Sequence, residues 1–488
     1  MDIESELKTL SSEFDLKNRD FSIILAAGHG KRIKSQIPKM LHEIWGVPTV
    51  VRVSDAARKG LGSINQIVVV GIKAVDVARC VGKSKGRAFV FQEEQRGTGH
   101  AVQVAMEFLA KKKILPENIY VFPGDMGLIT SQAILNFKKK FERSEYKMMI
   151  LSGIYHGNPL ENHYGRILRV PVENKNVSGR IIEIKEFKDI MALKKFYVVQ
   201  FEGTEYKFSK EELLAIPEFN SGVYAFRGES LKKYIGKITP DNVQHEMYLT
   251  DLVRIFNNNH LSVGVVSANE ENVVFAFNDK SALKKMEEMA RDRVYEKLKN
   301  IITFKDREDF FIADEVVNRI LEQDKKGEPL DIVIGKGVYI GSGVYMDAGV
   351  VIKDHAYLDG NIKLSEGVII GERVHLSTYP HQVLKIGRHT EILQGDIIKG
   401  NLEIGENTRI ESSVNITGSD ESPVRIGNNV LIKGTSYIFG CVIEDNVWIE
   451  HSVLKNKRVR CIRDKNGEVQ PVRYILPSPE GIECLEDL

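Results

Sequence analysis

From Ile334 to Ile438 an apolar residue recurs at every sixth position, and this period constrains the 488-residue chain more than any other feature of it. The series runs through Ile334, Ile340, Met346, Ile352, Leu358, Leu364, Ile370 and Leu376. It resumes at Ile386, Ile392, Ile398, Ile404, Ile410 and Ile416, and again at Ile426, Ile432 and Ile438. Glycine follows many of these, as at Gly335, Gly341, Gly371, Gly387, Gly405 and Gly427, and a branched residue stands four positions on at Val338, Val344, Val350, Val368 and Val374. A helix repeats every 3.6 residues, so it cannot present this series on one face. A coil of short parallel strands that turns at each hexapeptide can. Residues 331–460 are therefore expected to form such a coil, with the interruptions near Ser377–Lys385 and Thr417–Val424 as loops leaving it.

Such a coil accounts for only part of the chain, and 488 residues exceed what one hydrophobic core usually holds. The charge is balanced, with 68 Lys and Arg against 67 Asp and Glu, which supplies no overall field for nucleic acid or an anionic membrane. No stretch reaches the uninterrupted apolar length a bilayer needs, and residues 1–20 lack an apolar signal-like core. The expectation is a cytoplasmic protein that binds neither membrane nor nucleic acid. Cys80, Cys441, Cys461 and Cys484 are too dispersed for a CxxC motif, so free thiols are expected.

Before the repeat, short apolar runs alternate with helical stretches. Ile67–Val70, Ala88–Phe91, Ile119–Phe122, Met148–Ser152 and Leu261–Val266 read as strands, and Ala101–Lys111 and Ser131–Lys140 as helices between them. That alternation implies an α/β domain, a mostly parallel Rossmann-like sheet covered by helices, over residues 21–278. Residues 1–20 form an added arm, helical from Ile3 to Phe14. Asp279–Ile302 reads as one long helix opening a linker at 279–330, with Leu283, Met286, Met289 or Ala290, Val294, Leu298 and Ile301 on one face. Residues 461–488 remain as a C-terminal tail.

In a sheet of this kind ligands bind beyond the carboxyl ends of the strands. The run Phe21–Ala27 leads without a polar break into Gly28-His29-Gly30-Lys31-Arg32, and Lys39 follows Pro38. Two glycines let backbone N–H groups approach a phosphate, and three cations suit a triphosphate. A tight turn after a strand favours glycine as well. Gln92-Glu93-Glu94-Gln95-Arg96-Gly97-Thr98-Gly99-His100-Ala101 offers side-chain amides able to read a base edge, or merely a glycine start to a helix. Phe122-Pro123-Gly124-Asp125 puts a carboxylate just past a strand, as Mg²⁺ requires and as many turns also do. Asn278 can serve a metal or cap the helix after it.

The string Leu25-Ala26-Ala27-Gly28, Gly30, Arg32, Ser35, Pro38-Lys39, Leu41, Ile44, Gly46, Pro48 and Val50 resembles the sugar nucleotidyltransferase signature LAAGxGxRxxSxxPKxLxxIxGxPxV. With His42 it is most similar to the bacterial N-acetylglucosamine-1-phosphate uridyltransferases, and the segment from Gln92 resembles their QxxQxGTGHA. The resemblance implies a transferase that joins UTP and N-acetylglucosamine 1-phosphate into UDP-N-acetylglucosamine with release of pyrophosphate. It assigns nucleotide contacts to Leu25, Ala26, Ala27, Gly28, Gly30, Gln92, Gly97 and Thr98. Catalytic charge falls to Arg32, Lys39 and Asp125, and Mg²⁺ to Asp125 with Asn278. Tyr164-Gly165-Arg166-Ile167, Ile182-Glu183-Ile184-Lys185, Glu218–Gly222 and Tyr248–Asp251 are similar to the family's YGRI, VEQKD, INTG and YLTD, which marks Gly165, Glu183, Asn220 and Thr250 as sugar contacts. Each of these could also be a turn or surface residue.

The repeat resembles the left-handed parallel β-helix of hexapeptide proteins, whose assembly implies a homotrimer. Relatives acetylate glucosamine 1-phosphate there with an RPG arginine, a paired-lysine segment, a GHLxYxGD histidine and an NYDGxxK stretch. None of these strings occurs here, and His375, His381 and Asn415–Gly418 lack the surrounding pattern. No acetyl transfer is therefore expected. Gly127 stands where GDxPL has proline, Asn158–Tyr164 is longer than the family's loop, and a stretch near Lys188–Pro217 looks inserted. A bifunctional enzyme, a different sugar or base, and a non-catalytic scaffold remain the alternatives.

Overall fold

The structure, a computed structural model, describes residues 2–28, 30, 33–171, 179–268 and 274–475, and the chain divides into two compact units, Met1–Glu287 and Glu288–Leu488. The first unit is built on a mixed sheet. Seven of its strands, β1 (Asp20–Ala26), β2 (Gln66–Val70), β3 (Arg87–Phe91), β4 (Asn118–Pro123), β5 (Met148–Ile154), β6 (Glu218–Arg227) and β7 (Val263–Ser267), lie in the order β7-β5-β6-β4-β1-β2-β3. Every neighbour pair in that row is parallel except those made by β6, which runs antiparallel to both β4 and β5.

Alternation along the strands feeds two cores. Ile24 and Ala26 of β1, Val68 and Val70 of β2, and Tyr120 and Phe122 of β4 pack with helices Thr49–Leu61, Ala74–Val81 and Ser131–Glu142. The intervening residues, such as Ile23, Ile67, Val69, Ile119 and Val121, meet helices Thr98–Lys111, Gly228–Tyr234 and Asp251–Asn258 on the other face. Apolar residues therefore fill both phases of each central strand, as a sheet covered on both sides demands.

Two differences from the sequence reading have clear causes. The arm's helix stops at Leu10 rather than Phe14. The Ser11 hydroxyl donates to the Leu7 carbonyl and accepts from the Phe89 N–H, while Ser12 N–H donates to the Arg87 carbonyl. The arm thus leaves its helix to cover the outer edge of β3, an exposed row of unpaired backbone groups otherwise. β6 escaped the sequence reading because Asn220-Ser221-Gly222 interrupts its apolar pattern. A register shift between Asn220 and Val223, with Gly222 at φ +84°, bulges the strand there.

The stretch read as an insertion folds. A helix Phe187–Met191, the hairpin Phe196–Phe201/Thr204–Ser209 and a helix Lys210–Ala215 close a small core of Val199, Phe201, Leu213 and Leu214 against Leu168 and Ile182. Ser209 and Glu212 form a reciprocal capping box at the start of the last helix. The long helix runs Lys280–Leu298 and buries Met286, Ala290, Val294 and Leu298 at four-residue spacing.

In the second unit three parallel sheets of two- to four-residue strands wind into a parallel β-helix. All members of the sixfold apolar series are buried, none above 4% exposed. Equivalent positions lie 18 residues apart along the coil, as Val344 and Ile362 do, but Ile362 pairs with Leu384 and Leu402 with Val424, 22 positions on. The two expected loops account for those longer turns. The coil also starts earlier than the repeat, since Thr303–Phe304 and Phe310–Ile312 pair with Val333–Ile334 and Val338–Ile340 inside the stretch read as linker. Helix Asp314–Asp324 separates that first turn from the rest. At the far end Val472 bridges Ile449, so part of the expected tail is the last layer of the coil. Cys80, Cys441 and Cys461 are free thiols, and Cys484 lies outside the described residues. No helix among the described residues is long and apolar enough to cross a membrane.

Thr390, Thr408, Ser436 and Ser452 put hydroxyls among the buried residues of the coil, and Asp396 puts a carboxyl there. Asp396 is fully buried where the adjacent coils carry Val374 and Val414, and it accepts the Val414 N–H at 2.7 Å while its second oxygen has no partner. Burial pushes its carboxyl up to about 8. Between the unfolded value near 3.8 and about pH 8 the folded chain holds a proton the unfolded chain has lost, so stability declines as pH rises through that window. The slope should approach about 1.4 kcal/mol per pH unit. Asp396→Asn keeps the acceptor toward Val414 and cannot ionise. Urea unfolding at pH 5, 6, 7 and 8 should show that slope for the native β-helix and a nearly flat profile for the variant.

Candidate functional site

A cleft of about 620 Å³ opens beyond the carboxyl ends of β1, β3 and β4, within the size range of small-molecule sites. The chain leaving β1 contributes Ala27, Gly28 and Gly30, that leaving β3 contributes Gln92, Gln95, Gly97 and Thr98, and that leaving β4 contributes Asp125. The β6 bulge adds Asn220 and Gly222, followed by Tyr224. Glu186, Lys188, Gln244, Glu246, Thr250 and Asn278 complete the wall.

At its centre, Lys39 Nζ lies 2.5 Å from Asp125 Oδ2 and 3.1 Å from Asn278 Oδ1, and 5.3 Å from the centroid of the Phe277 ring. Lys39 begins a 3₁₀ turn after Pro38 and is only 8% exposed. The room for its stem comes from Gly30, at φ +59°, where a Cβ would stand 2.6 Å from the Lys39 Cβ. Asn278 does not cap the helix that follows. Asp279 Oδ1 accepts the Ala282 N–H at 2.9 Å, which leaves the Asn278 amide to face the lysine. Arg32 lies outside the described residues.

One end of the cleft is an amide-rich clamp. Gln92 is buried, its Nε2 3.0 Å from His100 Nδ1, and Gln95 Nε2 donates to the Gln92 carbonyl at 3.1 Å. Gly97, at φ +109°, leaves no space for a Cβ, which would approach Met247 O to 2.6 Å. It is also the residue before helix Thr98–Lys111, so the helix-start role and the cleft role coincide. Met247 N–H donates to the Arg96 carbonyl, Gly99 N–H to the Met247 carbonyl, and Leu249 N–H to the Thr98 hydroxyl. Leu25 and Ala27 line the floor, whereas the Ala26 side chain turns into the core.

The other end gathers carboxylates and hydroxyls. Asn220 Nδ2 donates to the Tyr224 hydroxyl at 2.7 Å, and its own N–H donates to the Gly165 carbonyl at 2.9 Å. Gly165 does not itself line the cleft; a Cβ there would sit 3.1 Å from Glu186 Oε1. Thr250 Oγ1 lies 3.4 Å from the same Glu186 oxygen. Burial, reinforced by Asp189, pushes the Glu186 carboxyl up to about 7. Lys188 donates to the Gln244 side chain across the rim.

Glu183 is displaced from the role the resemblance gave it. It sits within strand Ile181–Lys185, 6% exposed, outside the cleft wall and with Oε1 unpartnered, and burial raises its carboxyl. Glu186 follows the strand's carboxyl end in extended backbone and reaches the cleft instead. The signal was present in the sequence, since Glu186-Phe187-Lys188-Asp189 reproduces the E-x-K-D of VEQKD three positions further on. Gln95 lay inside a quoted motif, while Tyr224, Gln244 and Glu246 belonged to no motif and emerge only from the fold.

Among the described residues no three His, Cys, Asp or Glu side chains converge as a protein-only metal cage. Asp125 and Asn278 do offer two hard oxygen donors at one point of the cleft, a set that suits Mg²⁺ shared with substrate phosphates.

Residues 22–176 match the model of the MobA-like NTP transferase domain. The chain is 31% identical over 419 residues to bifunctional protein GlmU of Clostridium novyi, covering 86% of this chain and 79% of that protein. It is 33% identical over 419 residues to that of Clostridium tetani, covering 86% and 80%. With that of Clostridium kluyveri it shares 29% identity over 467 residues, covering 88% and 91%. The nucleotidyltransferase sheet, the cleft at its strand ends and the β-helix that follows are thus those of a GlmU-type protein, and the chain belongs to the GlmU family.

Proposed function

We propose that the chain is a uridylyltransferase that forms UDP-N-acetylglucosamine and pyrophosphate from UTP and N-acetylglucosamine 1-phosphate. The observation that carries this reading is the set of groups gathered in one cleft: an amide clamp, Lys39 with Asp125 and Asn278, and Asn220, Thr250 and Glu186. Gln92, Gln95 and the backbone around Gly97 would read the base. Asn220, Thr250 and Glu186 would hold the sugar, Glu186 accepting hydroxyl protons once ionised. A sugar-phosphate oxygen then attacks the α-phosphorus in line, and the bond to the β-phosphate breaks as pyrophosphate departs. The attacking oxygen is already anionic and needs no base, so orientation and charge neutralisation supply the rate. Lys39, with Arg32, would neutralise the triphosphate. Asp125 and Asn278 would hold Mg²⁺, which when bound supplies positive charge to the phosphates.

Pyrophosphate release measured across four nucleoside triphosphates and a panel of sugar 1-phosphates should be fastest with UTP and N-acetylglucosamine 1-phosphate. Glucosamine 1-phosphate with acetyl-CoA should yield no free thiol, since the strings that serve acetyl transfer in relatives are missing from the β-helix. A faster alternative pair, or thiol release at a matching rate, would replace this assignment. Asp125→Ala should lower Mg²⁺-dependent turnover about a thousandfold or more, several kcal/mol of transition-state stabilisation, with an unchanged circular dichroism spectrum. Near-normal turnover would remove Asp125 from the metal.

We further propose a cytoplasmic homotrimer assembled by the β-helix. Outward positions on one of its sheets carry Val333, Val351, Ile369, Leu431 and Trp448 around a Glu391–Arg409 pair, and on a second Tyr339, Tyr357, His375, Ile397, Asn415, Tyr437 and Val453, so both are mostly apolar. The third sheet carries Lys363, Lys385, Glu403, Arg425 and Arg458 outward, with Tyr345 and Val442 among them, and is mostly charged. Ile397 and Tyr437 remain 39% and 43% exposed in the single chain. Two apolar faces suit a copy on either side, as a closed ring of three requires. Equilibrium sedimentation should give three times the chain mass, and Ile397→Lys combined with Tyr437→Lys should give the monomer.

A further inference from the structure

In this structure Lys39 occupies the point at which both proposed metal donors converge. Its ammonium contacts Asp125 Oδ2 at 2.5 Å and Asn278 Oδ1 at 3.1 Å, on a side chain held by the Pro38 turn and fitted against Gly30. Mg²⁺ binds oxygen at about 2.0–2.1 Å and demands near-octahedral geometry, so the ammonium and the ion cannot use the same two oxygens at once. We infer that Lys39 is an exchangeable counter-ion which keeps the metal position closed until nucleotide arrives, coupling metal and nucleotide binding. This inference rests on the proposed metal donors and concerns how they are loaded.

The exclusion is electrostatic. Lys39 and Asp125 form a buried pair whose side chains are 10% and 12% exposed, and whose charges cancel. Metal entering alone would take Asp125 and drive the ammonium off, leaving a divalent cation and a lysine a few ångströms apart in a poorly hydrated site. Like charges repel strongly there. A triphosphate supplies the anions that both cations need, so Lys39 can move to phosphate oxygens in the same cleft as the donors are released. Nucleotide should then raise metal affinity, and by linkage metal should raise nucleotide affinity by the same factor. Phe277, 5.3 Å from the ammonium, adds a cation–π contact that favours the closed state.

The experiment is direct metal binding to the full-length protein without turnover, with Mn²⁺ followed by electron paramagnetic resonance in the absence and presence of a non-hydrolysable UTP analogue. The native protein should bind Mn²⁺ at least tenfold more tightly with the analogue than without it. Lys39→Met should bind Mn²⁺ alone at least tenfold more tightly than the native protein, and lose most of the enhancement by the analogue. Lys39→Arg, which keeps the charge, should retain weak binding of the metal alone and so distinguishes charge exclusion from a general loosening of the site. Equal affinity of native protein and Lys39→Met for Mn²⁺ alone would overturn the inference, as would strong metal-only binding by Lys39→Arg. Lys39→Met combined with Asp125→Ala separates the two levels. Loss of Mn²⁺ in the double variant upholds Asp125 as the metal donor whatever the coupling, whereas retained binding overturns the donor assignment and the exchange with it.

Discussion

A buried ion pair can persist only if its remaining donors and acceptors are satisfied, and the Lys39–Asp125 pair imposes that condition on the whole catalytic unit. Lys39 follows the first strand, Asp125 follows the fourth, and Asn278 precedes the long helix, 239 positions along the chain from Lys39. The sheet must bring the carboxyl ends of β1 and β4 side by side, which their parallel register of Ile24 with Phe122 and Leu25 with Pro123 does. Gly30 and Gly124 then let the two loops close. A Cβ at Gly124 would stand 2.9 Å from the Leu25 carbonyl that accepts its N–H.

The same sheet explains why the cleft has two chemically different ends. On the β3 side the chain runs into a helix, and residues 96–99 bond to residues 247–249, which makes a rigid amide-lined clamp. On the β6 side a strand antiparallel to its neighbours β4 and β5 enters from the opposite direction, so its side chains would miss the strand ends unless something redirected them. The bulge at Asn220–Val223 does so, turning Asn220 toward Tyr224 and the cleft. The folded segment beyond Glu186 packs against the outer face of the edge pair Arg166–Arg169 and Ile181–Lys185, which buttresses the carboxylate end. Burial there also holds the Glu186 and Asp251 carboxyls well above the usual carboxylate range.

The β-helix obeys a simpler rule. Each coil repeats the one beneath it, so one buried column of Ile, Leu and Val per sheet is enough to set the fold. Departures are local and tolerated in kind: two loops each lengthen one turn, and Asp396 replaces an aliphatic residue while still accepting a backbone N–H from the next coil.

The sequence by itself determined the period of the coil, the alternation of the first domain and the glycine loop after β1. These are local patterns or strand-end positions, and they survive in one dimension because periodicity and turn chemistry act over a few residues. It did not determine which of two nearby glutamates faces the cleft. Glu183 and Glu186 differ by three positions, which in a strand reverses the face, and only the end of the strand at Lys185 decides between them. Nor could it separate a cleft-facing Asn278 from a helix cap, because either residue of Asn278-Asp279 can cap and the choice depends on where Lys39 and Asp125 already stand. The antiparallel β6, the arm over β3 and the walls from Tyr224, Gln244 and Glu246 are contacts between distant segments. They exist only once packing has chosen which strands are neighbours, and packing is a property of the whole chain.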